Sequence, residues 1–337
     1  MKDKYLVILG AGRGSRMESR DPNHSKVAYP ILGKPLINYV IDACKPLGLR
    51  EIYTVVGFGG KATEACVKKE SKVVWQHEIL GTGHALKQVE ELKDKDGDVI
   101  VVSGDIPLLT AQTIRKVYHK HEKFNNALTI CTSVLENPTG YGRVLREKGS
   151  YRLLDIREDL DCNPEEKEIT EVNAGIYIFD NKLLQEYLPK LSNENAKKEY
   201  YLSELVKLYN LAGQKVDAYV LEDAQDVFGV SDRTQLAYAA KVIRRRVNKK
   251  LMLSGVSIED PDTTYISPDA EIGRDTIILP NTTILGKCQI GEANWIGPNT
   301  TLINVNMGND NKVHYSVLQN INLENKEEVG PFANIKK

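Results

Sequence analysis

The stretch EIGRDTIILPNTTILGKCQIGEANWIGPNTTLI, residues 271–303, decides the architecture of the carboxyl-terminal part of the chain. Ile272, Ile278, Ile284, Ile290, Ile296 and Leu302 recur every six residues. Gly273, Leu279, Leu285, Gly291, Gly297 and Ile303 follow them directly, and Pro268, Pro280, Asn281, Pro298 and Asn299 sit near the corners. A hexapeptide period of this kind is the signature of a left-handed parallel β-helix, with three hexapeptides to a coil and the recurring aliphatic residue pointing inward. Past Leu302 the pattern weakens. Gly308, His314 and Asn320 keep the register, while Met307, Val313 and Val317 point to slippage. About four coils at most are expected, a short stack for an architecture that needs about three repeats and a protected end.

Upstream, Thr234–Leu253 carries Leu236, Ala240, Val242, Ile243, Val247 and Leu251 interleaved with Arg244-Arg245-Arg246 and Lys249-Lys250. This predicts one amphipathic helix with a basic outer face, read as a solvated connector. Residues 1 to about 230 have another texture. Short apolar or β-branched runs at Leu6–Leu9, Ile52–Val56, Val73–Gln76, Val99–Val102 and Ala127–Thr132 alternate with helix-like segments at Pro35–Leu47, Gly83–Leu92 and Ala111–His121. Gly175–Asp180 and Lys215–Leu221 read as further strands, and Tyr201–Leu211 as a helix. Strands alternating with helices predict a mostly parallel sheet covered on both faces.

Composition narrows the function. The 337 residues include 45 Lys plus Arg and 46 Asp plus Glu, for a net charge of -1. That balance argues against a nucleic-acid binder, which needs a basic excess. No apolar run approaches the roughly 18 residues of a membrane span. Tyr5–Leu9 is too short for a signal-peptide core. Cysteines 44, 66, 131, 162 and 288 are scattered without CxxC spacing. They read as reduced thiols, so a cytoplasmic location is expected.

The first strand runs into Leu9-Gly10-Ala11-Gly12-Arg13-Gly14-Ser15-Arg16-Met17. Glycines at the carboxyl end of a strand let backbone N–H groups approach a nucleotide closely. A Rossmann fingerprint needs glycine where Ser15 or Met17 stands, and a P-loop needs a terminal GK[ST], which is missing. The loop is a nucleotide loop of another type, or a plain strand-turn-helix. Arg16 and Lys26 favour the first, since cations flanking a glycine loop hold a triphosphate. Asp105, alone at a strand end, would ordinarily be a turn or helix-capping residue. Its setting, Ser103-Gly104-Asp105-Ile106-Pro107-Leu108 after an apolar run, argues for a metal-binding turn instead.

These segments, with Lys26 and Gly33-Lys34-Pro35, resemble the sugar-1-phosphate nucleotidyltransferases, and in particular the bacterial N-acetylglucosamine-1-phosphate uridylyltransferases. Gln76 with Leu80–Ala85, then Pro138–Arg143, Glu158, Glu171–Gly175 and Glu199-Tyr200-Tyr201 follow in that family's order. The resemblance covers residues 1 to about 335. It implies a Rossmann-like, GT-A-like α/β unit over residues 1–230, a linker helix over 231–253 and a short left-handed β-helix over 254–337. It implies UTP and N-acetylglucosamine-1-phosphate as substrates, joined by in-line attack on the α-phosphate with release of pyrophosphate. The sugar phosphate is already an anion, so the protein need only position two anions and neutralise charge. Arg16 and Lys26 would hold the triphosphate, and Mg²⁺ on Asp105 would bridge the phosphates. Leu9, Gly10, Gly12, Gln76, Gly81 and Thr82 are the nucleotide-binding candidates, Gln76 offering the base both a donor and an acceptor. Gly142, Glu158 and Asn173 are the sugar-binding candidates. His84 reads as a structural residue at a helix start.

Three departures from the family stand out. Its second metal ligand is an Asn after Gly-Val; here Gly229-Val230 is followed by Ser231, a weaker magnesium ligand, and then Asp232. An insertion around Asp21-Pro22-Asn23-His24 separates Arg16 from Lys26, with Ser25 where Pro is usual and Gly10 where Ala is usual. No counterpart of the acetyltransferase residues of the bifunctional members is found, so no acetyl transfer is expected. The resemblance also implies assembly through the β-helix, as a trimer. Two other functions remain: the same reaction with another sugar phosphate or nucleotide, and an impaired sugar-nucleotide-binding or assembly module.

Overall fold

The structure is a computed structural model and describes residues 2–21 and 24–337. Pro22 and Asn23 of the insertion lie outside the described residues. The chain divides into two compact units, one of Met1–Tyr29 with Leu36–Arg233, the other of Pro30–Pro35 with Thr234–Lys337.

Among the described residues the first unit is built on nine strands: β1 Lys4–Gly10, β2 Glu51–Val56, β3 Lys72–Trp75, β4 Asp98–Ser103, β5 Leu128–Val134, β6 Arg143–Arg146, β7 Leu153–Arg157, β8 Glu171–Asp180 and β9 Val216–Val220. The main path runs β9-β5-β8-β4-β1-β2-β3, with β6 bridging β8 and β7 at the side. β1 pairs in parallel with β2 and β4, and β9 with β5. β8 runs against both β4 and β5. The central strands read as unbroken apolar runs because both faces are covered. Tyr5, Val7, Tyr53, Val55, Val99, Val101 and Phe179 pack on one side of the sheet. Leu6, Ile8, Ile100, Val102, Ile176 and Ile178 pack on the other, against Ile37 and Ile41 of the helix Leu36–Cys44 and Ile114 and Val117 of the helix Ala111–Phe124. Each such fully buried side chain contributes about 1.5–3 kcal/mol.

Several local expectations are revised. The hairpin β6–β7 and the helices Gly60–Val67 and Asn181–Tyr187 carry no pattern that announces them in the sequence. The segment expected as one helix from Gly83 to Leu92 is a helix over Thr82–Lys87 and a separate 3-10 turn over Glu90–Leu92. Its break falls at Val89, which is buried at φ −85°, ψ 72°, outside the helical region. Tyr201–Leu211 likewise opens with a 3-10 turn over Leu202–Glu204 before the helix Leu205–Leu211.

In the second unit the helix spans Arg233–Leu253 as bounded by its hydrogen bonds, and its buried stripe is Ala239, Ile243, Arg244, Asn248 and Leu251. The basic run is therefore not all on an outer face. Arg244 turns inward, donating to Asp262 at 2.6 Å and to the Tyr265 hydroxyl at 3.2 Å. Asn248 donates to the carbonyls of Pro261 and Thr264, both at 3.0 Å.

The left-handed β-helix follows. Three parallel sheets form its sides, exemplified by Ile278 over Ile296, Ile284 over Leu302 and Ile290 over Met307. The slippage after Leu302 has a definite form: the inward steps Leu302 to Met307, Val313 to Leu318 and Leu318 to Leu323 each lose one residue, while the inward column stays buried. Asn304 donates to Asn320 at 3.1 Å and Asn306 to Asn322 at 3.0 Å, so stacked amides tie the shortened coils together. The hairpin Pro30-Ile31/Lys34-Pro35 belongs to this unit, with Lys34 Nζ 2.7 Å from Asp269. The Gly33-Lys34-Pro35 signature is thus a β-helix contact. Among the described residues no helix is long and apolar enough to cross a membrane.

Candidate functional site

β1 ends at Gly10 and β4 at Ser103, side by side in the middle of the sheet. β2 flanks β1 on its other side, and the loops at these carboxyl ends are where α/β sheets bind ligands. The Gly104 N–H donates to the Leu9 carbonyl at 2.9 Å, which ties the two turns together. A cavity of about 610 Å³ opens above them. It is lined by the loop Leu9–Arg16, by Lys26 and Val27, by Gln76, Ile79, Gly81, Thr82 and Ala85, by Ser103 and Asp105, and by Lys197 and Glu199. All the nucleotide-binding and catalytic candidates of the sequence are among them.

Gly14 holds a left-handed φ of 59°, and a Cβ there would lie 2.7 Å from Cβ of Lys26. That close approach seats Lys26 on the glycine loop. Its ammonium is hydrogen-bonded to the Asp105 carboxylate. The pair is charge-neutral and only partly buried, and it forms one end of the cavity. Arg13 and Arg16 are exposed on the same loop.

Gln76 is 2% exposed and forms another wall. Its Nε2 donates to the Gly81 carbonyl at 3.1 Å and to Nδ1 of His84 at 2.9 Å. A carbonyl only accepts, so this contact orients the amide and commits both of its hydrogens. Gln76 was expected to offer the base both a donor and an acceptor; the structure leaves it the acceptor, Oε1. His84 stands in the first turn of the helix Thr82–Lys87 and holds Gln76. Gly81 has φ 102°, and a Cβ there would fall 2.7 Å from the Tyr200 carbonyl. Thr82 Oγ1 accepts from the Leu202 N–H at 3.0 Å, so it serves the fold as well as lining the cavity.

Gly142, Glu158, Asn173 and Ser231 do not line this cavity. The first three nevertheless come together. The Asn173 N–H donates to the Gly142 carbonyl at 2.8 Å, and a Cβ on Gly142 would lie 3.2 Å from a Glu158 carboxylate oxygen. Arg143, 2% exposed, clamps this corner by donating to the Tyr141 carbonyl and to Asp159. Glu158 lines a second cavity of about 310 Å³ with Asp155, Asp161, Ser203 and Lys207. Burial pushes the Glu158 carboxyl up, opposed by the Ser203 hydroxyl that donates to it at 2.7 Å. Asn173 Nδ2 donates to the Tyr177 hydroxyl at 2.5 Å and its Oδ1 accepts from the Gly175 N–H at 3.1 Å. The Ser231 turn is fixed to the metal-turn candidate by its neighbour: the Val230 N–H donates to the Asp105 carbonyl at 2.8 Å.

The donor set bears on the metal. Among the described residues no three His, Cys, Asp or Glu side chains gather as a cage. A single carboxylate beside a glycine loop with exposed cations suits Mg²⁺, which keeps waters and takes few protein ligands. Sequence reasoning missed Lys197 and Ile79, and gave no role to Glu199 and Arg143, although both stand in segments that follow the family's order. Lys197 and Ile79 carry no glycine or spacing signal of their own.

A profile of the MobA-like NTP transferase domain matches residues 6–161. The chain is 41% identical over 336 residues to the bifunctional protein GlmU of Caldanaerobacter subterraneus subsp. tengcongensis, a match covering 100% of this chain and 72% of the relative. It is 44% identical over 332 residues to that of Fervidobacterium nodosum, covering 98% of this chain and 71% of the relative. With that of Acetivibrio thermocellus it shares 44% over 339 residues, covering 100% and 72%.

Proposed function

The chain belongs to the GlmU family, and on that premise we propose that the cavity between Lys26–Asp105 and Gln76 is where it joins UTP to N-acetylglucosamine-1-phosphate. The enzyme is a UDP-N-acetylglucosamine pyrophosphorylase. The observation that carries the site assignment is the cavity itself: a cation–carboxylate pair on a glycine loop at one end, and at the other a buried amide whose only uncommitted group is an acceptor.

The roles follow from the chemistry. Uracil presents an N3–H donor, which cytosine lacks, and Gln76 Oε1 accepts it. The loop Leu9–Gly14 and the cations Arg16 and Lys26 hold the triphosphate, Lys26 turning from the Asp105 carboxylate to a phosphate oxygen. Gly142, Glu158 and Asn173 hold the sugar, with Arg143 fixing their corner. An oxygen of the sugar phosphate attacks the α-phosphorus, the bond to the β-phosphate oxygen breaks, and pyrophosphate leaves. No proton moves, so no side chain acts as a base. Mg²⁺ held on Asp105, with the Ser231 hydroxyl as the other protein ligand, would supply charge neutralisation on the phosphate oxygens. Reaction with these metabolic nucleotides implies a cytoplasmic enzyme.

The test is pyrophosphate release from UTP and N-acetylglucosamine-1-phosphate, with and without Mg²⁺, beside CTP and glucose-1-phosphate. Magnesium-dependent release that prefers UTP over CTP is expected; release with no base preference would refute the role of Gln76. Gly81→Ala probes the base wall separately. Its added methyl meets the Tyr200 carbonyl and its φ is unfavourable for any side chain. The KM for UTP is expected to rise about tenfold, equivalent to ~1.4 kcal/mol of lost binding, with the KM for the sugar phosphate little changed.

The β-helix is read as the assembly element, through which three copies associate. Exposed Tyr265, Trp295 and Tyr315 on its surface support that reading. Light scattering at the single-chain mass of 37.7 kDa would count against it.

A further inference from the structure

The segment Asn195–Glu199 reaches the nucleotide cavity through Lys197 and Glu199, running directly into the Glu199-Tyr200-Tyr201 segment. Asn195 holds it as a closed loop: its Nδ2 donates to the Glu199 carbonyl at 2.6 Å, and its Oδ1 accepts from the Glu199 N–H at 3.1 Å. Lys198 inside the loop takes a left-handed φ of 53°, a conformation unfavourable for a lysine and sustained by its surroundings. One side of the loop is tied to the base wall. The Tyr200 N–H donates to the Leu80 carbonyl and the Gly83 N–H to the Tyr200 carbonyl, both at 2.8 Å. Its other side is tied to the sugar corner, where the Ala196 N–H donates to Asp161 at 2.9 Å, three residues past Glu158.

Lys197 is suspended between these anchors. It is exposed at the mouth of the cavity and lines it. Among the described residues its ammonium makes no ion pair, in contrast to Lys26, which is spent on Asp105. Its positive charge nonetheless reaches Glu158, where it opposes the upward push of burial. A ligand whose base lies on Gln76 and Gly81 and whose sugar lies at Glu158 must carry its linking phosphates past this point. The glycine loop with Arg16 and Lys26 is assigned to the triphosphate.

We propose that Lys197 binds the phosphate of the incoming sugar-1-phosphate, drawing that anion to the junction between the base wall and the sugar corner. This rests on the assignment of the cavity to uridylyl transfer. An ammonium without an ion pair, carried on a pinned loop, supplies charge-assisted hydrogen bonds without first breaking an internal contact.

The experiment is an initial-rate study of the full chain, varying each substrate in turn, for wild type, Lys197→Met and Lys197→Arg. Loss of one charge-assisted contact at a partly solvated site predicts a KM for N-acetylglucosamine-1-phosphate about tenfold higher in Lys197→Met. The KM for UTP should stay within about twofold, and Lys197→Arg should restore most of the loss. Raising the ionic strength should weaken sugar-phosphate binding less in Lys197→Met than in wild type. An equal or larger rise in the KM for UTP, unchanged constants in Lys197→Met, or no rescue by arginine would each overturn the proposal. A wild-type chain with no turnover would instead refute the parent assignment, so the two failures are distinguishable.

Discussion

Asp105→Ala is expected to lower kcat for pyrophosphate release by about 10³-fold, some 4 kcal/mol of transition-state stabilisation. Among the described residues its carboxylate is the one acidic side chain at the phosphate end of the cavity, and the proposed Mg²⁺ has no comparable ligand there. The loss should not come from unfolding. The Asp105 side chain is 23% exposed, and the bond that fixes its turn uses the backbone carbonyl accepting from Val230. A second signature separates this from simple damage to binding. Asp105 neutralises Lys26 in the ligand-free protein, so its removal releases that ammonium for phosphate. Metal-free UTP should therefore bind Asp105→Ala at least as tightly as wild type, while Lys26→Met weakens it. Calorimetric titration of UTP in chelator, beside turnover in Mg²⁺, reads both. Turnover within tenfold of wild type in Asp105→Ala would remove Asp105 from the reaction.

The second large effect is on stability, at the opposite ends of the same strands. Asp98 opens β4 and is 1% exposed. It accepts from the Tyr118 hydroxyl at 2.8 Å and from Lys2 at 3.1 Å, with His121 Nε2 at 3.7 Å. Asp98→Ala leaves the buried Tyr118 hydroxyl and the His121 ring without their acidic neighbour, while Lys2 keeps Asp180 at 3.0 Å, a defect that costs about 3 kcal/mol. For a unit of this size that corresponds to a fall in Tm of roughly 10 °C. Burial alone would raise the Asp98 carboxyl, but His121, Tyr118 and Lys2 together hold it below the ordinary range. A depressed carboxyl contributes stability that is present above the unfolded-chain value of about 3.9 and is lost as pH falls through the folded value. The Tm gap between wild type and Asp98→Ala should thus be full at pH 7 and shrink below about pH 4. A gap that stays constant down to pH 3 would refute the ionic origin of the effect. Activity per folded molecule should be unchanged, because Asp98 lies at the amino end of β4 and the cavity at its carboxyl end.

Local sequence patterns and tertiary placement contributed different parts of this picture. Apolar strands, the inward hexapeptide column and the glycine loop are legible in one dimension because each repeats a short-range rule: burial on both sheet faces, one inward residue per β-helix side, close backbone approach at a strand end. The missed hairpin β6–β7 has no such regularity. Arg143 stands in a family segment with no role assigned to it until Tyr141 and Asp159 are seen to close around it. Arg244 reads as part of a basic face until Asp262 and Tyr265, which follow the helix, turn it inward. The one-residue contractions after Leu302 read in the sequence as a weakened, slipping pattern, since a five-residue step breaks the hexapeptide period while leaving the stacked geometry intact.

The chain by itself determined the order of the elements, the period of the β-helix and the kinds of group at the site. Those are properties of neighbours along the sequence, set by local sterics and by which side chains leave water. Only the tertiary structure decided that Lys26 spends its charge on Asp105, that His84 and Gly81 consume the donor of Gln76, that Gly33-Lys34-Pro35 belongs with the β-helix, and that Lys197 reaches the cavity above β1 and β4. Each of these depends on where the fold brings a side chain, and charge and hydrogen-bonding capacity are assigned only once the fold has chosen the partners.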